Sequence, residues 1–581
     1  MTDHDLIIRS GLIVDGNGGD PFEGDVAVDG GVIAAVGAVS GRAAREIDAA
    51  GAVIGPGFVD VHTHYDGQAT WDSRLQPSSW HGVTTVVMGN CGVGFAPVQP
   101  PNRDRLVELM EGVEDIPGTA LREGLTWNWA SFGDYLDVLA QRHYDVDVAS
   151  QVPHAALRVE VMGARAAAHV QATPEEAAEM ARLAGEAVTA GALGFTTSRT
   201  LNHKSIDGEL TPSYGTAEDE LVAIARAVGQ TGRGVMQVVS DFFEAENEAE
   251  FALLRHAMRA GRLPVSVSLV QNNLAPGGFR DVLAFVTECQ EEGLSIRAQV
   301  APRPVGLLLG LRNTLHPYME NPVWQRLADL DAAEQARLMR SEGLRHEILA
   351  AQTRTKNRQR LGGILIHKYE LMYEVTDPPA YEPDPAQSIA ARAERLGVTP
   401  EELAYDIMAA DDGAAMFYLT FANYAGGNLD VVREMLQHPY TIPGLSDGGA
   451  HVGTICDGSF PTTLLGHWAR DRGEAGLSLP FVIQRQARDT ARAVGLHDRG
   501  VLAPGYRADI NVVDMKSVRL HRPEMVFDLP AGGRRLLQRA DGYRHTIVAG
   551  QETYRDGEPT DALPGRLIRG PQAAPAASPA L

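Results

Sequence analysis

The feature that most constrains the fold is a regular alternation of short apolar runs with helical stretches. The apolar runs cover residues 53–61, 83–88, 147–157, 191–198, 234–241, 264–272, 294–302 and 440–447. Short, continuous apolar runs are typical of strands that are buried on both faces of a parallel sheet. Two intervening helices have clear predicted starts, at Thr173 and Thr216, where a capping threonine precedes acidic residues. Eight such strands with helices between them predict an α/β fold, a closed (β/α)8 TIM barrel.

The two ends of the chain share a different pattern, in which short alternating segments are separated by glycine and aspartate. Residues 1–54 and 501–565 therefore predict a small β-sandwich domain formed by both chain ends. The barrel would span residues 55–500, with inserts at about 100–145 and 303–438. Long inserts after barrel strands usually cover the active site. Residues 566–581 are rich in proline and alanine, and we expect them to form a disordered tail.

Composition excludes several kinds of partner. The 581 residues carry a formal net charge of −24, which argues against binding to nucleic acid or to anionic membranes. The three cysteines, Cys91, Cys289 and Cys456, lie far apart and indicate a reducing compartment rather than a disulfide framework. The chain start does not resemble a signal peptide, and no apolar run is long enough to span a membrane. We expect a cytoplasmic protein with a small-molecule substrate, and a homo-oligomer is one state that the sequence leaves open.

Three segments place metal-binding side chains at predicted strand ends. His62 and His64 follow the first strand in GPGFVDVHTHYDG, and residues two apart on a strand point the same way, so both rings can face one metal. Asp447 ends the eighth strand in GLSDGGAH, where a carboxylate can bind a metal or move a proton. Cys91 follows the second strand in GNCGVGFAP and offers a thiolate, which is a good zinc ligand. The alternatives are packed histidines, a turn aspartate and a buried apolar cysteine.

Together these segments resemble the N-acyl-D-amino-acid deacylase branch of the amidohydrolase superfamily. GPGFVDVHTHYD, HGVTTVVMGNCGVGFAP, GALGFTTSR, GLSDGGAH and VGLHDRGVLAPGYRADINVVD occur in the family's order. The resemblance implies a TIM barrel beside a small β-sandwich. It also implies a zinc site with one tightly held ion that activates water for amide hydrolysis. For this chain we expect a divalent metal, with zinc favoured and one or two ions per chain. On this reading His62, His64, Cys91 and Asp447 belong to the metal centre, and Asp447 is the general acid/base.

The sequence departs from the family at the fifth and sixth strands, where the family carries two further zinc histidines. Here those strands read GVMQVVSDFFE (234–244) and PVSVSLVQNN (264–273), without histidine. Asp241 is the nearest ligand candidate, and the exchange of histidine for aspartate would favour harder metals. Two interpretations stay open: a metal centre rebuilt from the residues named above together with Asp241, or a metal that is weakly bound or lost. The other polar side chains there are Gln237, Ser240, Ser268, Gln271 and Asn272.

The predicted substrate is an N-acyl amino acid or a related N-acyl amide, of D or L form. Arg199 and Arg303, near the ends of the fourth and seventh strands, could bind a carboxylate through paired hydrogen bonds. His154, after the third strand, is a third candidate for substrate binding. All three could instead have structural roles. The alternative functions are a cyclic amide or lactone hydrolase on the same scaffold, or a metal-poor, non-catalytic binder of small molecules.

Overall fold

The computed structural model describes residues 3–242, 247–351, 363 and 365–576. Eight parallel strands form a barrel within it. They are β1 (Phe58–Asp60), β2 (Val83–Met88), β3 (Asp147–Ser150, continued by Val152–Pro153), β4 (Gly194–Arg199), β5 (Val235–Ser240), β6 (Val265–Leu269), β7 (Ile296–Val300) and β8 (Thr441–Pro443). The ring closes just beyond β1 and β8, because the Asp447 N–H donates to the His62 carbonyl (3.1 Å) and the His64 N–H to the Gly448 carbonyl (2.8 Å). The predicted TIM barrel is confirmed.

Helices lie between the barrel strands and after the last one. They are Gln68–Trp71, Arg103–Glu114, Gly118–Gly124, Phe132–Ala140, His154–Met162, Ala164–Ala167, Pro174–Ala190, Glu218–Gln230, Asn247–Gly261, Phe279–Glu291, Phe460–Thr463, Leu464–Asp471, Leu479–Gln484, Arg485–Asp489 and Thr490–Ala493. The predicted start at Thr173 is correct, because its hydroxyl accepts from the Glu176 N–H. The cap predicted at Thr216 is displaced by one residue: Ala217 is the N-cap and the helix begins at Glu218, while the Thr216 carbonyl accepts from Arg199. Among the described helices, none combines the length and apolarity that a membrane span requires.

Strands from both chain ends share one sheet. From the N-terminal side come His4–Ile13, Phe22–Asp29, Val32–Gly37, Ala43–Asp48 and Val53–Pro56, and from the C-terminal side Ile510–Val513, Tyr543–Val548, Gln551–Arg555 and Glu558–Pro559. The apolar run 53–61 is therefore divided: Val53–Pro56 pairs with Ile510–Val513, whereas Phe58–Asp60 enters the barrel. Gly57 joins the two parts, where a Cβ atom would lie 2.3 Å from Thr84 Oγ1.

The insert between β7 and β8 has a hydrophobic core of its own, which includes Leu309, Tyr318 and Phe417. Its strands are Val305–Leu309, Met372–Glu374 and Phe417–Ala422, and its helices are Ala332–Met339, Glu342–Ala350, Ile389–Leu396, Pro400–Met408 and Asp430–Gln437. Most of the apolar side chains near the start of this insert pack into that core. They therefore stabilise the insert itself.

The expectation of a disordered tail is wrong for residues 566–576. The N–H groups of Ile568 and Gly570 donate to the carbonyls of Val148 and Gly191, both at 2.8 Å. The Ile568 side chain is 7% exposed and packs with Val59 and other barrel residues. Composition alone suggested disorder, but one apolar side chain and a run of backbone hydrogen bonds hold this segment in place. Residues 577–581 lie outside the described residues.

A buried ion pair joins the barrel to the segment that leads back to the β domain. Arg499 Nη1 lies 2.8 Å from Asp147 Oδ2, and each side chain is 3% exposed. Loss of one partner from a buried pair typically costs about 3–5 kcal/mol, whereas an exposed pair contributes about 1 kcal/mol or less. We therefore expect Arg499→Ala to lower the thermal midpoint of unfolding clearly, and Arg182→Ala, which breaks an exposed pair with Glu179, to change it little. Equal midpoints for the two variants, measured by differential scanning fluorimetry, would contradict this ranking.

Candidate metal centre

Two histidines and a cysteine converge at the end of the barrel where β1 and β2 finish. One ligand atom from each of His62, His64 and Cys91 lies within 4.8 Å of the others, and all three side chains are buried. His62 Nε2 and Cys91 Sγ lie 3.2 Å apart. Two imidazole nitrogens and one sulfur are a donor set that suits zinc and similar divalent metals.

The turn after β2 is shaped to present the Cys91 side chain. Cys91 has a left-handed backbone, with φ of 55°. Gly89 precedes it, with φ of 82°, at a point where a Cβ atom would lie 2.1 Å from the Gln151 carbonyl oxygen. The Cys91 N–H donates to Gln237 Oε1 at 3.1 Å. Gln237 of β5 therefore holds the cysteine turn.

Asp447 lies in the loop after β8 and places its carboxylate against this cluster. Its Oδ1 lies 3.2 Å from His62 Nε2 and 3.7 Å from His64 Nε2. Burial would raise the pKa of Asp447, but His64, His62 and His451 lower it, and the net pKa lies below its usual value. Asp447 is thus an ionised carboxylate that is still partly accessible, with 21% of its side chain exposed.

A glutamine fixes the orientation of the His62 ring. His62 Nδ1 lies 2.7 Å from Gln299 Oε1, and Gln299 Nε2 donates to Ser266 Oγ at 2.9 Å. Because an amide oxygen can only accept, Nδ1 carries the proton and Nε2 turns its lone pair toward Cys91 and Asp447. Burial lowers the pKa of His62 to about 4, so the ring is neutral, which is the form that binds metals.

Glu114 is a site residue that the sequence analysis missed. It ends the helix Arg103–Glu114 in the first insert and is 1% exposed. Its Oε1 lies 3.2 Å from His64 Nδ1, and its Oε2 lies 3.5 Å from His451 Nε2. The available signal was helical spacing: Glu114 follows Val107 and Met110 on the apolar stripe of its helix.

The buried polar atoms of this centre fit a bound cation. Both ring nitrogens of His64 and both oxygens of Glu114 are buried without a well-formed hydrogen bond, which is rare in folded proteins. Burial would lower the pKa of His64, but Glu114 and Asp447 raise it well above its usual value, so the acids favour positive charge here. Burial raises the pKa of Cys91 to about 12, and a nearby cation would be needed to ionise this thiol at neutral pH.

Asp241 lines a cavity that adjoins the cluster of His62, His64 and Cys91. Its Oδ1 accepts from the Thr200 hydroxyl at 2.5 Å, and its Oδ2 accepts from the Leu201 N–H at 2.7 Å. Both oxygens therefore hold the loop that follows β4. Asp241 does not belong to the group of ligand atoms formed by the two histidines and the cysteine, and its role as a ligand stays a prediction.

The two arginines expected to bind a substrate carboxylate have structural partners instead. Arg303 is 1% exposed and donates to Asp457 Oδ1 at 2.6 Å, and its guanidinium stacks 3.6 Å from the Tyr381 ring centre. Arg199 donates to Glu250 Oε1 at 2.7 Å. Neither arginine lines the cavity. The prediction that they contact substrate needs this correction, because their donors are directed at acids within the fold.

His154 is likewise a packed histidine at the start of its helix. Its Nδ1 lies 2.9 Å from Thr197 Oγ1, and its Nε2 lies 2.7 Å from Glu220 Oε1. The ring is fully buried and does not line the cavity. Its contacts join the helix after β3 to the helix after β4, which is a structural role rather than the predicted substrate-binding one.

A cavity of about 190 Å³ adjoins the metal-binding cluster. Its lining includes His62, Cys91, Asp447 and His451, neutral polar residues such as Asn202 and Asn272, and the apolar side chains of Phe242, Leu269, Val270, Phe279, Val282 and Val305. Such a mixture of polar and apolar side chains is typical of small-molecule sites.

Comparison with known proteins places the chain in a family. The Amidohydrolase family matches residues 45–554. An N-acyl-D-glutamate deacylase of Alcaligenes xylosoxydans xylosoxydans is 26% identical, over 97% of this chain and 96% of that protein. An uncharacterized protein of Mycobacterium tuberculosis is 28% identical, over 97% of this chain and 96% of that protein.

The fold has a matching relative among solved structures. N-acyl-D-glutamate deacylase from Bordetella bronchiseptica, complexed with zinc and a phosphonate inhibitor, superposes with a TM-score of 0.65 at 23% identity, covering 97% of this chain and 99% of that chain. The chain belongs to the amidohydrolase family and is a hydrolase that acts on carbon–nitrogen bonds. The resemblance read from the sequence is confirmed.

The donor set predicts measurable metal binding. Purified protein analysed by inductively coupled plasma mass spectrometry should carry about one to two divalent transition metal ions per chain. His62→Ala removes one of the clustered nitrogens and should reduce that content to less than about half. His256→Ala, at an exposed histidine (53% of its side chain), is the matched control and should leave the content unchanged. Wild-type protein that neither carries nor takes up such a metal would contradict the assignment.

Proposed function

We propose that the chain is a metal-dependent hydrolase that cleaves the amide C–N bond of an N-acyl compound, such as an N-acyl amino acid or a related amide. The observation that carries the proposal is the buried group of His62, His64 and Cys91 with the Asp447 carboxylate 3.2 Å from His62 Nε2. The family supports hydrolysis of a C–N bond. The N-acyl-D-glutamate deacylase structure is described with zinc and with a mimic of a tetrahedral intermediate, which supports the same chemistry here.

His62 through Nε2, His64 and Cys91 through Sγ would hold a divalent metal, for which zinc is the favoured ion. When bound, such a metal supplies Lewis acidity that polarises a carbonyl group and makes water more acidic. Gln299 keeps the His62 lone pair directed into the centre. The three ligand side chains are buried, and the lower dielectric constant around them strengthens electrostatic interactions there.

Asp447 is the proposed general acid/base. Its carboxylate is ionised and lines the cavity, so it can accept a proton from the attacking water and pass it to the leaving nitrogen. In that hydrolysis a C–O bond forms to the acyl carbon, the C–N bond breaks, and the amine departs with the transferred proton. The positive φ of Asp447, 48°, turns its side chain toward the two histidines.

Replacing this carboxylate tests the role. We expect Asp447→Asn to lower kcat by at least about 10²-fold, as is typical for loss of a general acid/base. Asp48→Asn, at an exposed acid of the β domain, is the control. The assay is release of amine from N-acyl-D- and N-acyl-L-amino acids and their amides, with and without a chelator. An Asp447→Asn protein with full activity would refute the assignment.

The same assay separates the alternative functions. Cyclic amides and lactones are included in the panel because their hydrolysis differs only in the leaving group. Turnover of those compounds, with no release from any N-acyl compound, would replace the proposed substrate. Metal-loaded protein that binds panel members and hydrolyses none of them would indicate a non-catalytic binder.

A further inference from the structure

The types of residue that line the cavity indicate which substrate charge it can accommodate. Beside neutral polar residues such as Thr200, Asn202 and Asn272, the cavity is lined by the apolar side chains of Phe242, Leu269, Val270, Phe279 and Val305. These apolar side chains come from the ends of β5 and β6, from the helix after β6 and from the insert. The apolar part of this wall favours an apolar substituent through burial of apolar surface.

The charged side chains of the cavity are acids. Asp241 and Asp447 both line it, whereas no arginine or lysine of the described part of the chain does so. The two nearby arginines, Arg199 and Arg303, are held by Glu250 and Asp457. The lining histidine His203 lies 2.8 Å from Ser198 Oγ through its Nδ1. A substrate carboxylate would therefore enter a cavity that no arginine or lysine among the described residues lines, and burying an unpaired carboxylate is strongly unfavourable.

A bound metal does not remove this difficulty. The charge of a bound divalent cation would be balanced by the thiolate of Cys91 and the carboxylate of Asp447, whose side chains both lie against His62. An additional substrate carboxylate near the scissile bond would be repelled by Asp447 and Asp241.

We infer that the preferred substrate is a neutral N-acyl amide with an apolar substituent, without a free carboxylate beside the scissile bond. This inference rests on the proposed amide hydrolysis. It narrows the substrate class to compounds such as N-acyl amino acid amides or N-acyl amines.

The test compares two compounds of the same shape and different charge. N-acetyl-leucine and N-acetyl-leucinamide, each in D and L form, are offered to the metal-loaded protein, and kcat/KM is measured for release of the acetyl group. We expect the neutral leucinamide to be preferred by at least about tenfold. Equal or better hydrolysis of the carboxylate compound overturns the inference and leaves the proposed function intact. No hydrolysis of any member of the panel overturns the proposed function itself.

A variant pair shows whether the missing positive charge causes the preference. Val270 lines the cavity and is half-buried, so a longer side chain can extend toward solvent. Val270→Arg should raise kcat/KM for N-acetyl-leucine relative to the leucinamide by about tenfold or more. Val270→Met, which adds length without charge, should leave the ratio near that of the wild type. The same ratio in all three proteins would contradict the electrostatic explanation.

A second observation, independent of the cavity, concerns Glu114. Its two oxygens are buried without a well-formed hydrogen bond, and Oε1 lies 3.2 Å from His64 Nδ1. His62 has a similar neighbour, because Gln299 Oε1 lies 2.7 Å from its Nδ1. Oxygen acceptors on the far nitrogens of metal-binding histidines orient the rings and increase their basicity.

The geometry assigns Glu114 as the positioning residue of His64, supplied by the first insert rather than by a barrel strand. The same carboxylate reaches His451 Nε2 at 3.5 Å, so one side chain joins the insert to the loop after β8. This contact couples the insert to the metal site.

Metal affinity tests this role without using turnover. Glu114→Gln keeps the shape of the side chain and should weaken binding of Zn²⁺ or Co²⁺ by about 10-fold to 100-fold, measured by competition with a chelator and by the visible absorption of the Co²⁺ protein. Glu114→Asp keeps the charge and should regain part of the affinity. Glu111→Gln, one turn earlier in the same helix, is the control.

Thermal midpoints measured without metal separate loss of fold from loss of positioning. Unchanged affinity in both Glu114 variants overturns the assignment. Affinity that falls only in step with the thermal midpoint also contradicts it, because the residue would then be structural.

Discussion

The arrangement of the site depends on the seam that closes the barrel between its first and last strands. There the His64 N–H donates to the Gly448 carbonyl, and the Asp447 N–H donates to the His62 carbonyl. Two backbone hydrogen bonds thus bring the paired histidines against a carboxylate that is distant from them in sequence. Because the seam is part of the barrel, the donor atoms are set by rigid structure and not by a loop alone.

The sequence predicted the barrel well because buried parallel strands leave a continuous apolar run. The predicted run 83–88 coincides with β2 (Val83–Met88), and 234–241 contains β5 (Val235–Ser240). The last run, 440–447, ends as a strand at Pro443, since Leu445 and Asp447 take positive φ values of 59° and 48°. Apolar composition cannot show such a backbone reversal, although that reversal aims the proposed general acid/base.

The site was only partly predictable for a related reason. His62, His64 and Cys91 lie at strand ends, where the barrel itself determines convergence. Glu114 comes from an insert whose packing no local pattern specifies, and no local pattern around Arg303 indicates its ion pair with Asp457. Helical spacing could show that Glu114 faces the protein interior, but only tertiary structure shows that it lies against His64. The result is a centre in which the first insert contributes a buried acid, and no arginine or lysine among the described residues lines the cavity.

The central claim is that His62, His64 and Cys91 hold a divalent metal. The most direct measurement is the anomalous diffraction of a crystal of the purified protein, recorded on both sides of the zinc absorption edge. We expect a peak of anomalous difference density at about 2.0–2.3 Å from the nitrogens of both histidines and from the cysteine sulfur. A metal bound elsewhere in the chain, or no peak in crystals grown with zinc, would contradict it.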